Sequence, residues 1–204
     1  MKLSVVIPSL DGNVPTMPDD PQLEVVIVKG VCPVCAARNE GLRRATGEYV
    51  AWVDADDEIM PDWLSEILKA LEGSPDVLSF DARAEWHDGS GRPSYRLDGR
   101  TTGQLWCKVF RRSLFDGLRF EGTIHEDWRI QCQLPKDLVR VHLDRVLYRY
   151  KRTKAGLSQH RDFLGELKSL WGLVRICDSW QMFRGICERF LDLAKTPIRR
   201  LIGR

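Results

Sequence analysis

The chain has 204 residues, 43% of them hydrophobic, which excludes a disordered polymer and suits one domain with a core of its own. Its 31 Lys and Arg residues nearly balance its 29 Asp and Glu residues, leaving a formal charge of +2 and no overall field that would favour nucleic acid as partner. No apolar run approaches the roughly 20 residues that a bilayer crossing needs, so any membrane contact is expected at the surface.

Leu3 to Pro8 and Leu23 to Val28 are short, β-branched apolar runs bounded by turn residues, as in strands buried on both faces of a sheet. Ser9 to Gln22, between them, carries Pro15, Pro18 and Pro21 and reads as a loop. Val34 to Ala45 has helical spacing and stops before Gly47. Tyr49 to Val53 is a third buried strand and runs directly into Asp54-Ala55-Asp56-Asp57. After Pro61, the spacing of Trp63, Leu64, Ile67, Leu68 and Leu71 predicts a helix, followed by a strand over Val77 to Phe80. Asp88-Gly89-Ser90-Gly91 reads as a hairpin turn or surface loop. Leu138 to His142 and Val146 to Tyr150 suggest two late strands, and helices follow from Phe163 onward, with Leu167, Leu170, Trp171 and Val174 at helical spacing. The alternation predicts an α/β fold: a mostly parallel central sheet flanked by helices, with ligands at the strands' C-terminal ends. Residues 1–160 are expected to form that domain, and residues 161–204 a helical amphipathic extension.

Because Met1 runs straight into a strand-like segment, the six cysteines are expected to be reduced and the protein cytosolic. Cys32 and Cys35 have the spacing of a redox or zinc pair, but no second pair completes a tetrahedral site, so ordinary buried thiols are expected. The four histidines lack helical metal-ligand spacing; His142 and His160 remain candidates for an extra metal ligand.

Asp54-Ala55-Asp56-Asp57 is the most informative cluster. Alternate residues at a strand's end can turn two carboxylates to one side while Ala55 leaves room for a ligand. Such carboxylates repel unless a cation sits among them, and Mg²⁺ or Mn²⁺ would also bind the oxygens of a diphosphate. In isolation, three Asp residues are more often a solvated acidic turn before a helix. The Glu126-Asp127 pair likewise fits the first turn of a helix.

Several segments occur together in a characteristic order: Pro8; Ala37-Arg38-Asn39-Glu40-Gly41; Ala45-Thr46-Gly47-Glu48-Tyr49-Val50; and Asp54-Ala55-Asp56-Asp57. They are followed by Leu105-Trp106-Cys107-Lys108-Val109-Phe110-Arg111-Arg112, Phe120-Glu121-Gly122, His125-Glu126-Asp127 and Leu147-Tyr148-Arg149-Tyr150. Over most of Leu3 to Gln159 this resembles the family 2 glycosyltransferases, which have the GT-A fold. The resemblance implies an inverting transferase that uses a nucleotide-diphosphate sugar, with a UDP-sugar as first expectation, and Mn²⁺ or Mg²⁺. It places Asp54 near the ribose, Asp56 on the metal, and Arg38 in the nucleotide pocket beside Ala55, with Pro8, Ser9 and Leu10 at the rim. Asp127 corresponds to the base that accepts the acceptor hydroxyl's proton. Trp106, Lys108 and Glu126 fall in segments beside the acceptor or sugar, although a buried core role suits Trp106 nearly as well.

The chain departs from the family in having Val28-Lys29-Gly30-Val31 where acidic residues and a Gly-Ser turn usually recognise the base. Its nucleotide half is also abbreviated. A noncatalytic membrane- or partner-binding protein of the same fold is therefore the rival reading. A nucleotidyltransferase is disfavoured because Ser9 to Asn13 holds a single glycine, Gly12. Near the C-terminus, Phe183, Ile186, Cys187, Phe190, Leu191 and Leu193 form an apolar stripe, followed by Lys195, Arg199, Arg200 and Arg204. That combination suits the anionic inner face of a plasma membrane and a glycan or lipid-linked acceptor, and suits equally a helix packed on the domain with a solvated basic tail.

Overall fold

The structure is a computed structural model that describes residues 2–122, 125–153, 163–176, 184, 186, 187 and 189–191. Strands β1 (Leu3–Ser9), β2 (Leu23–Lys29) and β3 (Tyr49–Trp52) run parallel with β1 between the other two; β2 is therefore an edge strand, and its Val25 and Ile27 are exposed where burial on both faces was expected. Helix α1 (Val34–Arg44) connects β2 to β3. The two-residue strand β4 (Glu58–Ile59) precedes α2 (Trp63–Leu71), and then come β5 (Val77–Trp86) and β6 (Tyr95–Leu97). A 3-10 turn at Leu105–Cys107 leads into β7 (Lys108–Arg111), and a second at Arg112–Phe115 follows it. The short α3 (Glu126–Gln131), β8 (Arg140–Arg152) and α4 (Phe163–Ile176) complete the described elements.

The sheet order is β2-β1-β3-β7-β5-β8-β4, with β6 beside β5. As expected, the longest ladders are parallel, β1 with β2, β1 with β3 and β5 with β8, while shorter antiparallel ones join β7 to β3 and β5, β6 to β5, and β4 to β8. The alternation of strands and helices is confined to the first half of the chain. Beyond it, β7 is reached from β6 through residues 98–107, which end in a 3-10 turn and hold no crossover helix, and parallel pairing needs such a crossover.

The strand expected over Val77 to Phe80 continues to Trp86, and the two expected late strands are one. Phe80 pairs with Leu143 but Asp81 pairs with Val146, so Asp144 and Arg145 bulge out where the sequence looks like a break. The Asp88–Gly91 segment does close a hairpin, between β5 and β6.

Alternation along β1 and β3 buries both faces. Leu3, Val5, Ile7, Tyr49 and Ala51 pack with Trp63, Ile67 and Leu71 of α2, while Val6, Val50 and Trp52 pack with Ala37 of α1. On the α1 side, Trp52 meets Phe110, Phe115 and Phe120 edge-on at 5.3–6.0 Å, an arrangement that favours aromatic quadrupoles. Two glycines allow this packing. A Cβ on Gly41 would lie 2.1 Å from Val6 Cγ1, and one on Gly47 would lie 2.6 Å from the carbonyl oxygen of Lys2. The Gly47 N–H also donates to Ser4 Oγ (2.7 Å), and Glu24 accepts from the Thr46 N–H (2.8 Å) and hydroxyl (2.7 Å), which ties β1 and β2 to the start of β3.

In α4, Leu170 and Leu173 face Trp128 of α3 and Cys132 just after it, while Trp171 is exposed, so the buried stripe is narrower than the sequence spacing suggests. Ile186 is buried in the same cluster, and Phe190 packs against it. Phe183, Leu193 and the basic residues Lys195 to Arg204 lie outside the described residues, as does His160. Among the described residues, no helix is long and apolar enough to cross a membrane.

Candidate active site

The C-terminal ends of β1, β2 and β3 lie side by side, and the crevice beyond such ends is where open α/β sheets hold ligands. Pro8 is half-buried on β1 opposite Val28. The Ser9 hydroxyl donates to the Asn13 carbonyl (2.8 Å) and accepts the Gly12 N–H (2.9 Å), which folds the loop back and leaves Leu10 on the rim at 71% exposure.

Beyond β3, the Asp57 N–H donates to the Asp54 carbonyl (3.2 Å), so the four acidic-motif residues form a turn. Asp54 faces Arg38 of α1, with Oδ1 3.6 Å from Nη2, and Nη1 of the same guanidinium donates to Glu126 of α3. Arg38 is only 6% exposed, and its Nε is buried with no hydrogen-bond partner among the described residues. Burial by itself would loosen the guanidinium's proton, but the carboxylates of Asp54, Glu126 and Asp127 reverse this and raise its pKa. Asp54 is held above the usual carboxylate range by burial, then by the charges of Asp56 and Glu126, with Arg38 opposing them. Asp127 is 9% exposed and accepts the N–H of Trp128 (2.9 Å), so it contributes to the helix start, as its sequence position also allowed.

The structure therefore brings together Arg38, Asp54, Glu126 and Asp127 from three separate elements. Glu126, expected beside the sugar, is buried as the counter-ion of Arg38. Asp56 is exposed, makes no ion pair among the described residues, and lines a cleft of about 580 Å³ with Asn13, Thr16, Ala55, Ile59 and Lys151. Trp106 and Lys108 stand in the wall behind the site. The indole is 3% exposed and stacks on Tyr148 (4.8 Å) and Tyr150 (5.2 Å), and the Lys108 amine donates to the carbonyls of Thr102 and Gln104.

Sequence reasoning missed Tyr148 and Lys151. The Tyr148 hydroxyl bridges the Asp54 N–H and the Asp57 carboxylate, and the Lys151 N–H donates to Asp57 (2.8 Å). Asp57 is pushed up to about 8 by burial and by the charge of Asp54. Tyr148 stood in a quoted segment, yet nothing in a strand pattern marks a hydroxyl that reaches across 94 positions to Asp54.

A second group of potential ligands, Asp81, His142 and Asp144, gathers at the bulge of β5 and β8, with ligand atoms within 4.8 Å of one another. Arg96 pairs with both Asp81 and Asp144 and supplies the cation there. Cys32 is exposed rather than buried because it precedes α1 at the surface, and Cys35 is half-buried; both are free thiols.

Fold and site together define the GT-A class of nucleotide-sugar transferase folds. S. aureus TarS (residues 1–349, in complex with UDP-GlcNAc) superposes with a TM-score of 0.64 at 16% identity, covering 96% of this chain and 73% of that one. The sequence model described as glycosyl transferase family 2 matches residues 20–123, half of the chain. The chain belongs to that family of glycosyltransferases. It is 30% identical to the uncharacterized glycosyltransferase YibD of Escherichia coli (strain K12), over 61% of this chain and 44% of that protein. It is 28% identical to the putative glycosyltransferase EpsH of Bacillus subtilis (strain 168), over 41% of this chain and 29% of that protein. The matches thus span less than half of either relative's length.

Proposed function

We propose that the chain transfers a sugar from a nucleotide-diphosphate donor to an acceptor hydroxyl in one inverting displacement, in the synthesis of envelope or extracellular polysaccharide or of a glycolipid. The observation that carries this reading is the convergence of Arg38, Asp54, Glu126 and Asp127 beside the cleft that Asp56 lines. Asp127 takes the hydroxyl proton as the oxygen bonds to the anomeric carbon, and the bond from that carbon to the diphosphate breaks on the opposite side. Arg38 joins the donor turn to the helix that carries the base, so both reactants meet one rigid frame.

The residues also fit a divalent ion. The three carboxylates of Asp54, Glu126 and Asp127 act on one guanidinium, and the exposed Asp56 offers a hard oxygen ligand at the cleft. Asp56, with Asp54 close by, would hold Mg²⁺ or Mn²⁺, which supplies charge neutralisation at the departing diphosphate. Because TarS is described in complex with UDP-GlcNAc, a UDP-sugar is the first donor to test. A glycan or lipid-linked alcohol would be the acceptor.

The test is a calorimetric titration of UDP, GDP and dTDP with and without Mn²⁺, on the unaltered chain and on Asp56→Ala. Metal-dependent binding of one nucleotide, lost in the variant, is the expected result. Asp127→Asn is expected to keep that binding and to lose about 100-fold or more in transfer. If no nucleotide binds the unaltered chain, the donor site is refuted and the noncatalytic reading takes its place.

A further inference from the structure

The pose of the acidic turn is set from outside it. Tyr148 is fully buried on β8; its hydroxyl accepts the Asp54 N–H (3.1 Å) and donates to Asp57 Oδ2 (2.8 Å). The other oxygen of Asp57 accepts the Lys151 N–H (2.8 Å), so both carboxylate oxygens are engaged with β8. Trp106 lies flat against the Tyr148 ring, 4.8 Å between centroids and 7° between planes, and fixes where the hydroxyl points. Tyr148, Trp106 and Asp57 are all buried, with Asp57 at 2% exposure. Asp57 borders the same cleft as Asp56, but its carboxylate oxygens are taken: one is given to a side chain, the other to the backbone.

We propose that Tyr148 and Asp57, with Trp106 behind them, are positioning residues that set the orientation of Asp54 and Asp56 for the donor diphosphate. The proposal rests on the donor-site reading above. A buried N–H that loses its acceptor is costly, so without the hydroxyl the turn reorients until Asp54 finds another partner. Asp54 and Asp56 flank a single alanine and move with that turn. Displacements near one ångström in such a site are enough to change binding and rate. The relay also gives Trp106 a function as a buttress, acting through Tyr148 rather than through contact with a sugar.

Tyr148→Phe keeps the ring and its stack and removes only the hydroxyl. Its expected effect is a loss of about tenfold in Mn²⁺-dependent UDP affinity while thermal unfolding remains cooperative, the size of one hydrogen bond. Asp57→Ala is expected to weaken UDP similarly. Asp57→Asn is expected to recover most of the loss, because a carboxamide can accept the Lys151 N–H and donate to the Tyr148 oxygen. A metal ligand at position 57 would behave differently, with Asn as damaging as Ala. Unchanged UDP affinity in folded Tyr148→Phe, or Asn equal to Ala, overturns the proposal and leaves the donor site standing. Should Tyr148→Phe not fold, the Asn and Ala pair decides alone. Failure of the unaltered chain to bind UDP would overturn the donor reading and the relay's role with it.

Discussion

Replacing Arg38 by methionine removes the buried guanidinium that Asp54, Glu126 and Asp127 share, while keeping much of the side chain's volume. The guanidinium is 6% exposed, and it engages Glu126 directly and Asp54 at 3.6 Å. Taking one partner from a buried pair strands the other's charge, which costs about 3–5 kcal/mol. The loss depends on pH in a defined direction. The carboxyl of Asp54 is already raised, and without Arg38 it is raised further, so the folded state holds its proton more tightly than the unfolded chain does. Stability of the variant then falls as pH rises above the ordinary aspartate range, and the penalty is fully expressed above the raised pKa. Urea unfolding of both proteins at pH 7.5 and at pH 5 measures this. The expected gap is about 3–5 kcal/mol at the higher pH and smaller at the lower. A gap below about 1 kcal/mol, the scale of an exposed pair, or one that does not change with pH, would refute the buried-cluster argument.

Glu24 is held at about 2: burial opposes ionisation, but hydrogen bonds from Ser4 and Thr46 and the charge of Lys2 outweigh it. A lowered carboxyl contributes stability above its unfolded value of 4.5 and loses it as pH falls through about 2, so Glu24→Gln should have the lower melting temperature at pH 7. Its deficit should narrow steadily below pH 4.5; a constant deficit would show that charge is not involved. Gly41→Ala brings a methyl to 2.1 Å from Val6 Cγ1. Overpacking of about 3 kcal/mol against a helix-propensity gain of about 1 predicts a net loss near 2 kcal/mol in denaturant unfolding. A stabilised variant would mean that α1 does not pack closely on β1.

The acidic turn shows where reading the sequence succeeds and where it stops. Its place at the end of a buried strand was legible, because a continuous β-branched run followed by carboxylates constrains the backbone locally. What each carboxylate does was not. Asp54, Asp56 and Asp57 are within four positions, yet one faces an arginine, one faces the cleft and one is consumed by Tyr148 and Lys151. Those assignments depend on the direction of each side chain and on partners some ninety residues away. Glu126 and Trp106 differ from expectation for the same reason, since a motif gives a residue's place along the chain but not the face it presents.

The sequence by itself determined the first three strands, the helices that flank them, and the segments that supply the candidate site, because apolar periodicity and turn residues act over short range. Only the tertiary structure decided the mixed half of the sheet, the bulge that makes β8 a single strand, and the convergence of Arg38 with Asp54 and Glu126. Strand order and buried charge pairing are set by contacts between distant segments, whose energies no local pattern records.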